Sequence, residues 1–334
     1  MLSFFRSNNP LVVIGYLLYL VAFRVCLWFV PVDTAFVFEH REPLATLVTV
    51  PLQHLAQSYT VVSAVLAAAL CFIQALLVNG IVNSNKIAAK KNYSAGILYI
   101  LFVSLVKENL LLTPALLSLT FVILATSRLF GLTKNEKLYG DVFDVGFLLA
   151  IAGLFYFPAM LFILYGYIGL AIIRPFNYRD WTILLLGFLS PVFVVFTYYF
   201  WFDRQGAFIA DVINQHTGWL VMPAFGLPYR IVLGGLALSM VAGLVLLPAA
   251  LYSSLIQVRK FANALVVLIV LILVSVAMLQ SVQFSHLTLL ALPMGIITSL
   301  VLGQIKSTMV SEVSHLILIL LVLTGQYLQV LNLF

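Results

Sequence analysis

Long apolar runs alternate with short polar connectors along the whole chain. Ending each run at a charge or a Gly/Pro cluster gives candidate spans near 11–30, 61–82, 94–107, 111–128, 144–157, 159–173, 181–202, 230–254, 264–280, 286–303 and 310–330. The runs are continuous rather than alternating, which excludes the pattern of an outer-membrane barrel. Helices are then the remaining way to satisfy a backbone in lipid. The stretch 144–173 is too long for one span and carries Pro158 in its middle, so it divides into two short helices. The 94–128 stretch is broken in the same way at KENLLLTP. The expectation is an all-α polytopic transmembrane helical bundle of about eleven spans, two short helical hairpins (94–128 and 144–173) among them, forming one integral membrane domain over 1–334. The first run follows Arg6 without a small-residue cleavage pattern after it and reads as a retained helix, not a removable signal.

Composition agrees with this reading. Charged residues make up 8% of the 334 positions, hydrophobic ones 63%, and mean hydropathy is +1.15; soluble domains carry about 25% charged residues. A net charge of +6 in a soluble chain would point to nucleic acid, but here its distribution matters more, and no nucleic-acid partner is expected. With the N-terminus inside, Arg6, Lys86, Lys90, Lys91, Arg128, Lys134, Lys137, Arg174, Arg179, Arg259, Lys260 and Lys306 fall on the cytoplasmic side. Arg24, Arg41, Lys107, Arg204 and Arg230 fall in or near the outer half, a bias of 12 against 5. The excess of Lys and Arg on inner loops orients a bacterial inner-membrane protein with its C-terminus outside. The inner loops are 83–93, 129–143, 174–180, 255–263 and 304–309, and the outer ones 31–60 and 203–229. Lys134 and Lys137 would sit either in a solvated loop or against anionic headgroups, where each contributes about 1 kcal/mol.

Candidate chemistry concentrates on the outer side. Trp28 to Gln57 gathers Asp33, Glu39, His40, Arg41, Glu42 and His54, and its ATLVTVPLQHLAQSY portion has the amphipathic look of an interfacial helix. Asp33, Glu39 or Glu42 would serve as general base or hold a divalent cation. Arg24, Arg41, Arg204, Arg230, His54 and His216 would bind a substrate phosphate. The competing reading is a solvated loop with an ordinary share of charge. Arg24, inside the first run, has its own alternatives: a phosphate clamp, an ion pair with an acid such as Asp33, or a side chain snorkelling to the headgroups. Nucleotide-binding and hydrolase motifs (GxxxxGK[ST], GxGxxG, HExxH, GxSxG) are absent from the sequence, so no nucleotide is expected. His286 and His315 read as hydrogen-bonded packing residues rather than metal ligands, and Cys26 and Cys71 as small core hydrophobes, so no protein metal site is expected.

The stretch from NGIVNSNKIAAKKNYS to about residue 200, through VNSNK, FDVGFLLAIAGLFYFP and RDW followed by LLGFLSP, resembles an uncharacterised Bacteroidota-type family of polytopic inner-membrane proteins. That resemblance implies a topology and no activity. The arrangement of a first outer loop with acids and an interfacial helix, followed by short paired helices, resembles the GT-C class of polyprenyl-phosphate-dependent glycosyltransferases. In that class an acid of the first outer loop commonly serves catalysis, which implies Asp33, Glu39 or Glu42. Three functions follow as expectations: a GT-C-like enzyme on lipid-linked sugars at the outer face, a non-catalytic subunit or scaffold of an envelope assembly, or a small-molecule or lipid carrier. The corresponding partners are membrane lipid, a polyprenyl-phosphate-linked substrate and an envelope protein. The topology is tested by a reporter fused after Arg179, which should read as cytoplasmic; an outer-side signal overturns it.

Overall fold

Several helices begin where the sequence offers a side chain that can cap them. A computed structural model describes residues 2–6, 9–25, 42–54, 59–88, 90–133, 139–206, 208, 226–279, 284–305 and 307–331. In it Asn9 Oδ1 accepts the Leu11 amide at 3.0 Å, Thr113 Oγ1 the Leu116 amide at 3.1 Å, and Asn177 Oδ1 the Arg179 amide at 3.1 Å. Each supplies an acceptor that the helix itself lacks, and Pro10 and Pro114 follow two of them at the first helical position.

Among the described residues the secondary structure is helical, without strands. In chain order the helices are α1 (Leu2–Phe5), α2 (Val13–Arg24), α3 (Pro43–His54), α4 (Tyr59–Ser84), α5 (Ser94–Ser104), α6 (Pro114–Gly131), α7 (Tyr139–Phe155), α8 (Ile163–Ile173), α9 (Tyr178–Trp201), α10 (Leu227–Leu251), α11 (Ile256–Ser275), α12 (Ala291–Gln304) and α13 (Thr308–Leu331). Short 3-10 turns occupy Pro10–Val12, Lys107–Leu110, Phe157–Phe162, Val276–Met278 and Phe284–Leu290. Seven helical stretches among the described residues are long and apolar enough to cross a membrane, and three shorter apolar ones, Pro10–Arg24, Ser94–Ser104 and Phe157–Ile173, accompany them. The chain is therefore a helical membrane protein.

Several boundaries differ from those read off hydropathy. Residues 256–263, expected as loop, are the first turns of α11. The two charges that set the expected boundary are absorbed: Arg259 Nη2 donates to Tyr252 O at 2.8 Å and Lys260 Nζ to Ile173 O at 3.0 Å, both carbonyls near helix ends. The 286–303 run is α-helical only from Ala291, after the 3-10 turn Phe284–Leu290. Helix α7 begins at Tyr139 and α9 at Tyr178, which shortens the expected inner loops 129–143 and 174–180. The expected breaks are present: α5 ends ten residues before α6 begins, and Pro158 lies in the 3-10 turn between α7 and α8. Residues 45–54 of the amphipathic stretch expected in the first outer loop lie in α3.

Every residue of α5 is buried, and it crosses α12, also largely buried, with the two backbones close together. A Cβ on Gly295 would lie 3.0 Å from Tyr99 Cα, so only glycine permits this approach without displacement. Tyr99 then donates to Gln74 Oε1 at 2.6 Å, and Gln74 Nε2 donates to Leu116 O at 2.8 Å and to Thr120 Oγ1 at 2.7 Å. Small residues and satisfied polar side chains are what hold helices together where lipid removes the hydrophobic difference. Around this core α9, α10 and α13 turn large apolar side chains outward, such as Phe193, Val194, Leu238, Val245, Leu316 and Leu320.

Reversal of the chain after each helix sorts the bundle into two ends. Arg6 on Leu302 O, Ser94 on Ser299, Lys260 on Ile173 O and the ion pair of Arg128 with Asp141 belong to one end, which is rich in basic residues. The interruptions at 105–113, 156, 276–279 and 284–290 belong to the other.

Helices α7 and α9 make the tightest pairing on the flank: a Cβ on Gly146 would run into Leu184 O, and one on Gly187 into Phe143 O. Backbone cannot yield as a side chain does, so Gly146→Ala and Gly187→Ala should each destabilise by about 1–3 kcal/mol. Gly80→Ala, with open space at that position, should not. Thermal unfolding of the detergent-solubilised protein measures the difference, and equal melting temperatures for all three would contradict the close approach.

Candidate functional site

Interrupting a helix frees carbonyls that need new donors, and in an apolar interior those donors must be side chains. At the end of α5, Asn109 Nδ2 donates to Val103 O at 3.0 Å and Gln326 Nε2 to Ser104 O at 2.9 Å. At the end of α11, the His286 ring nitrogen Nε2 lies 2.9 Å from Ile272 O, and Ser275 Oγ donates to the same carbonyl at 2.8 Å. The amide of Leu112, in the α5–α6 connection, donates to Ser63 Oγ of α4 at 2.8 Å.

These repairs converge on the turn Phe284–Leu290. Phe284 stacks on Tyr229 with ring centroids 4.0 Å apart. His286 Nδ1 meets the Tyr156 hydroxyl at 3.1 Å, and Thr288 donates to Asn109 Oδ1 at 2.8 Å. A carbonyl only accepts, so Nε2 of a neutral His286 carries the proton and Nδ1 receives the Tyr156 hydroxyl proton. Glu42, buried ahead of α3, lies within electrostatic reach of Tyr156. The result is a buried polar row of Glu42, Tyr156, His286 and Ser275, beside a second row of Thr288, Asn109 and Thr113.

Glu108 adjoins these rows and fills none of the vacancies left by the broken helices. Its Oε1 accepts from the Tyr229 hydroxyl at 3.2 Å, while the buried Oε2 has no hydrogen-bond partner among the described residues. Lys107 places its ammonium 5.6 Å from the centroid of the same Tyr229 ring. Burial raises the Glu108 pKa above the ordinary glutamate value, against weaker opposing pulls from its own backbone amide, Lys107 and Tyr229. A carboxyl that keeps its proton to higher pH than an exposed acid therefore stands beside a cation and a phenol, the chemical inventory of a proton-transfer site.

The sequence candidates distribute unevenly around this cluster. Asp33, Glu39, Arg41 and His216 lie outside the described residues, as does Cys26. His54 belongs to α3. Glu42 is brought to Tyr156, and Arg230 follows Tyr229 directly on α10, where it is exposed. Arg204 is exposed after the end of α9, next to Asp203, whose φ of 53° closes that helix in the left-handed conformation. Arg24 is half-buried between α2 and α4, donating to Ala64 O and Leu20 O at 3.3 Å each and lying 3.8 Å from the Cys71 sulfur. No acid pairs with it among the described residues, and backbone carbonyls take up its donors. Among the described residues no three His, Cys, Asp or Glu side chains gather as a metal-binding group.

Sequence reasoning gave no role to Glu108, Lys107, Tyr229, Tyr156 and Thr288, while its reading of His286 as a hydrogen-bonded packing residue agrees with the bonds to Ile272 O and Tyr156. The signal for the first two was the charged pair opening KENLLLTP between two short apolar runs. The signal for His286 and Thr288 was polarity recurring every second residue at the edge of an apolar run, which fits no helical face. No family model, curated protein or solved structure matches this chain.

The raised Glu108 pKa carries a sign. The folded state holds this proton more tightly than the unfolded chain, so the group's contribution to stability is complete below the ordinary value of 4.5 and is lost as pH rises through the folded pKa. The melting temperature of the wild-type protein should therefore fall across that interval more steeply than that of Glu108→Gln. Parallel profiles would show that the carboxyl is solvated.

Proposed function

We propose that this chain is an inner-membrane protein of about eleven spans, N-terminus inside and C-terminus outside, that acts as a GT-C-like enzyme on a lipid-linked sugar phosphate at the outer face. The short helices α2, α5, α7 and α8 complete the spans in this reading, with α5–α6 and α7–α8 as the two short hairpins. The observation that carries the proposal is Glu108, a buried carboxyl beside Lys107 and Tyr229 that takes no part in repairing the broken helices. Glu108 or Glu42 removes the acceptor proton, with Asp33 and Glu39 of the adjoining segment as the other candidate bases. Lys107, Arg230, Arg204, Arg41 and Arg24, with His54 and His216, supply the positive charge or donors that a leaving phosphate needs. A divalent cation on the acids of 33–42 would serve the same end.

The closely packed crossing of α5 and α12 favours this reading over a carrier, whose cargo would have to pass through the core. The test uses the full chain in nanodiscs with a radiolabelled polyprenyl-phosphate-linked sugar. Turnover is expected, with a loss of about 10²-fold or more for at least one of Glu108→Gln, Glu42→Gln, Asp33→Asn and Glu39→Gln. No turnover and no retained donor in the wild type, or four fully active variants, would leave the non-catalytic subunit as the better description.

A further inference from the structure

The opposite end of the bundle holds a second site of different chemistry. Two cavities, ≈ 310 Å³ and ≈ 530 Å³, lie on either side of the connection between α4 and α5 and share Ile87, Ala88 and Gln304. The smaller is lined by Arg6, Lys90, Asn92, Ser94 and Ser299, the larger by Asn83, Lys86, Lys91, Ser253 and Ser254. Together they present four cations and a ring of hydroxyl and amide donors, and no acid lines either among the described residues. Ligand pockets for small molecules begin at about 300 Å³.

The walls are built rather than incidental. Asn83 Nδ2 donates to Asn92 O at 2.9 Å and Asn83 Oδ1 accepts the Asn92 amide at 3.2 Å, so the connection is clamped onto the helix it leaves. Ser94 and Ser299 share a 2.7 Å hydrogen bond across α5 and α12. Arg6 reaches the end of α12, donating through Nη2 to Leu302 O at 2.5 Å and to Ser311 Oγ at 2.9 Å, which fixes its guanidinium at the cavity edge. Lys86 closes α4 in the left-handed conformation, φ 51°, with the Ile87 amide on Val82 O at 2.9 Å and the Lys86 amide on Asn83 O at 3.4 Å. That position normally belongs to glycine. A lysine there accepts backbone strain while placing its ammonium at the cavity, and strain of this kind marks places where the side chain has a use.

We infer that these adjacent cavities bind a phosphate group, carried either by an anionic lipid headgroup or by a small soluble phosphate compound. Clustered lysines with an anchored arginine and neutral donors match a phosphate's charge and its several acceptor oxygens, and basic pockets between membrane helices hold phosphate headgroups. The inference is independent of the outer-face enzyme, since it rests on the other end of the bundle.

The test compares the full chain in phosphatidylcholine nanodiscs, in the same discs with increasing phosphatidylglycerol, and in phosphatidylcholine with added inorganic phosphate or pyrophosphate. Melting temperature and native mass spectrometry are the readouts. Stabilisation and retained phosphatidylglycerol identify the lipid source; stabilisation by free phosphate identifies the soluble one. In either case Lys90→Gln and Lys86→Gln/Lys91→Gln should weaken the midpoint by about fivefold per lysine removed. Arg179→Gln, a basic residue of the same end outside both cavities, should leave it unchanged. Lys90 and Lys91 are exposed, so their substitution spares the fold where Arg6→Gln would not. No response to any of these anions, or equal responses in the lysine variants and the wild type, overturns the inference.

Discussion

The crossing of α5 and α12 is the contact on which the other helices depend. Two short helices meet with their backbones close because Gly295 has no side chain to hold Tyr99 away. The close approach sends the Tyr99 hydroxyl to Gln74, and through Gln74 to Leu116 and Thr120, so α4 and α6 are tied to the same crossing. Burying a glutamine in apolar surroundings is destabilising unless its donors and acceptor are used, and here both ends of the amide are engaged. The outer helices need less specificity, since their apolar surfaces face lipid.

A core of short helices has a consequence at their ends. Helix α5 is eleven residues long and α12 fourteen, so the chain leaves helical geometry while still inside the bundle. The freed carbonyls draw in Asn109, Gln326, His286 and Ser275, which explains why most of the polar residues at that end are where they are. This same repair creates a polar interior in which a carboxyl can be held. Glu108 exploits it: the repaired turns place it against Tyr229, away from bulk water, and burial then alters its affinity for a proton.

The two ends of the bundle use charge in opposite ways. At the basic end the cations border open cavities and are clamped by hydrogen bonds among neutral groups, or capped on carbonyls as Lys260 and Arg259 are. At the other end the Glu108 carboxyl and the Lys107 ammonium both border Tyr229. A phosphate-bearing molecule finds donors at either end, and at the Glu108 end it also finds a carboxyl hydrogen-bonded to a phenol.

From the sequence alone came the helical membrane class, the breaks at KENLLLTP and Pro158, and the asymmetry of basic residues. All of these are local: they follow from hydropathy over one run, from a proline, or from the charges in one connector. Helix starts at Ile256 and Tyr139 were not legible, because the charges there are taken up by distant groups that no local pattern reveals: Lys260 by the Ile173 carbonyl and Asp141 by Arg128. The acid-rich outer stretch was legible as chemistry, and of its members Glu42 is described, buried and within electrostatic reach of Tyr156. The pairing of Glu108 with Tyr229 across 121 residues, and of Tyr156 with His286 across 130, belongs to the tertiary structure alone. Hydropathy locates a polar residue along the chain; only packing decides which distant residue shares its burial, and burial is what turns an ordinary glutamate into a candidate for proton transfer.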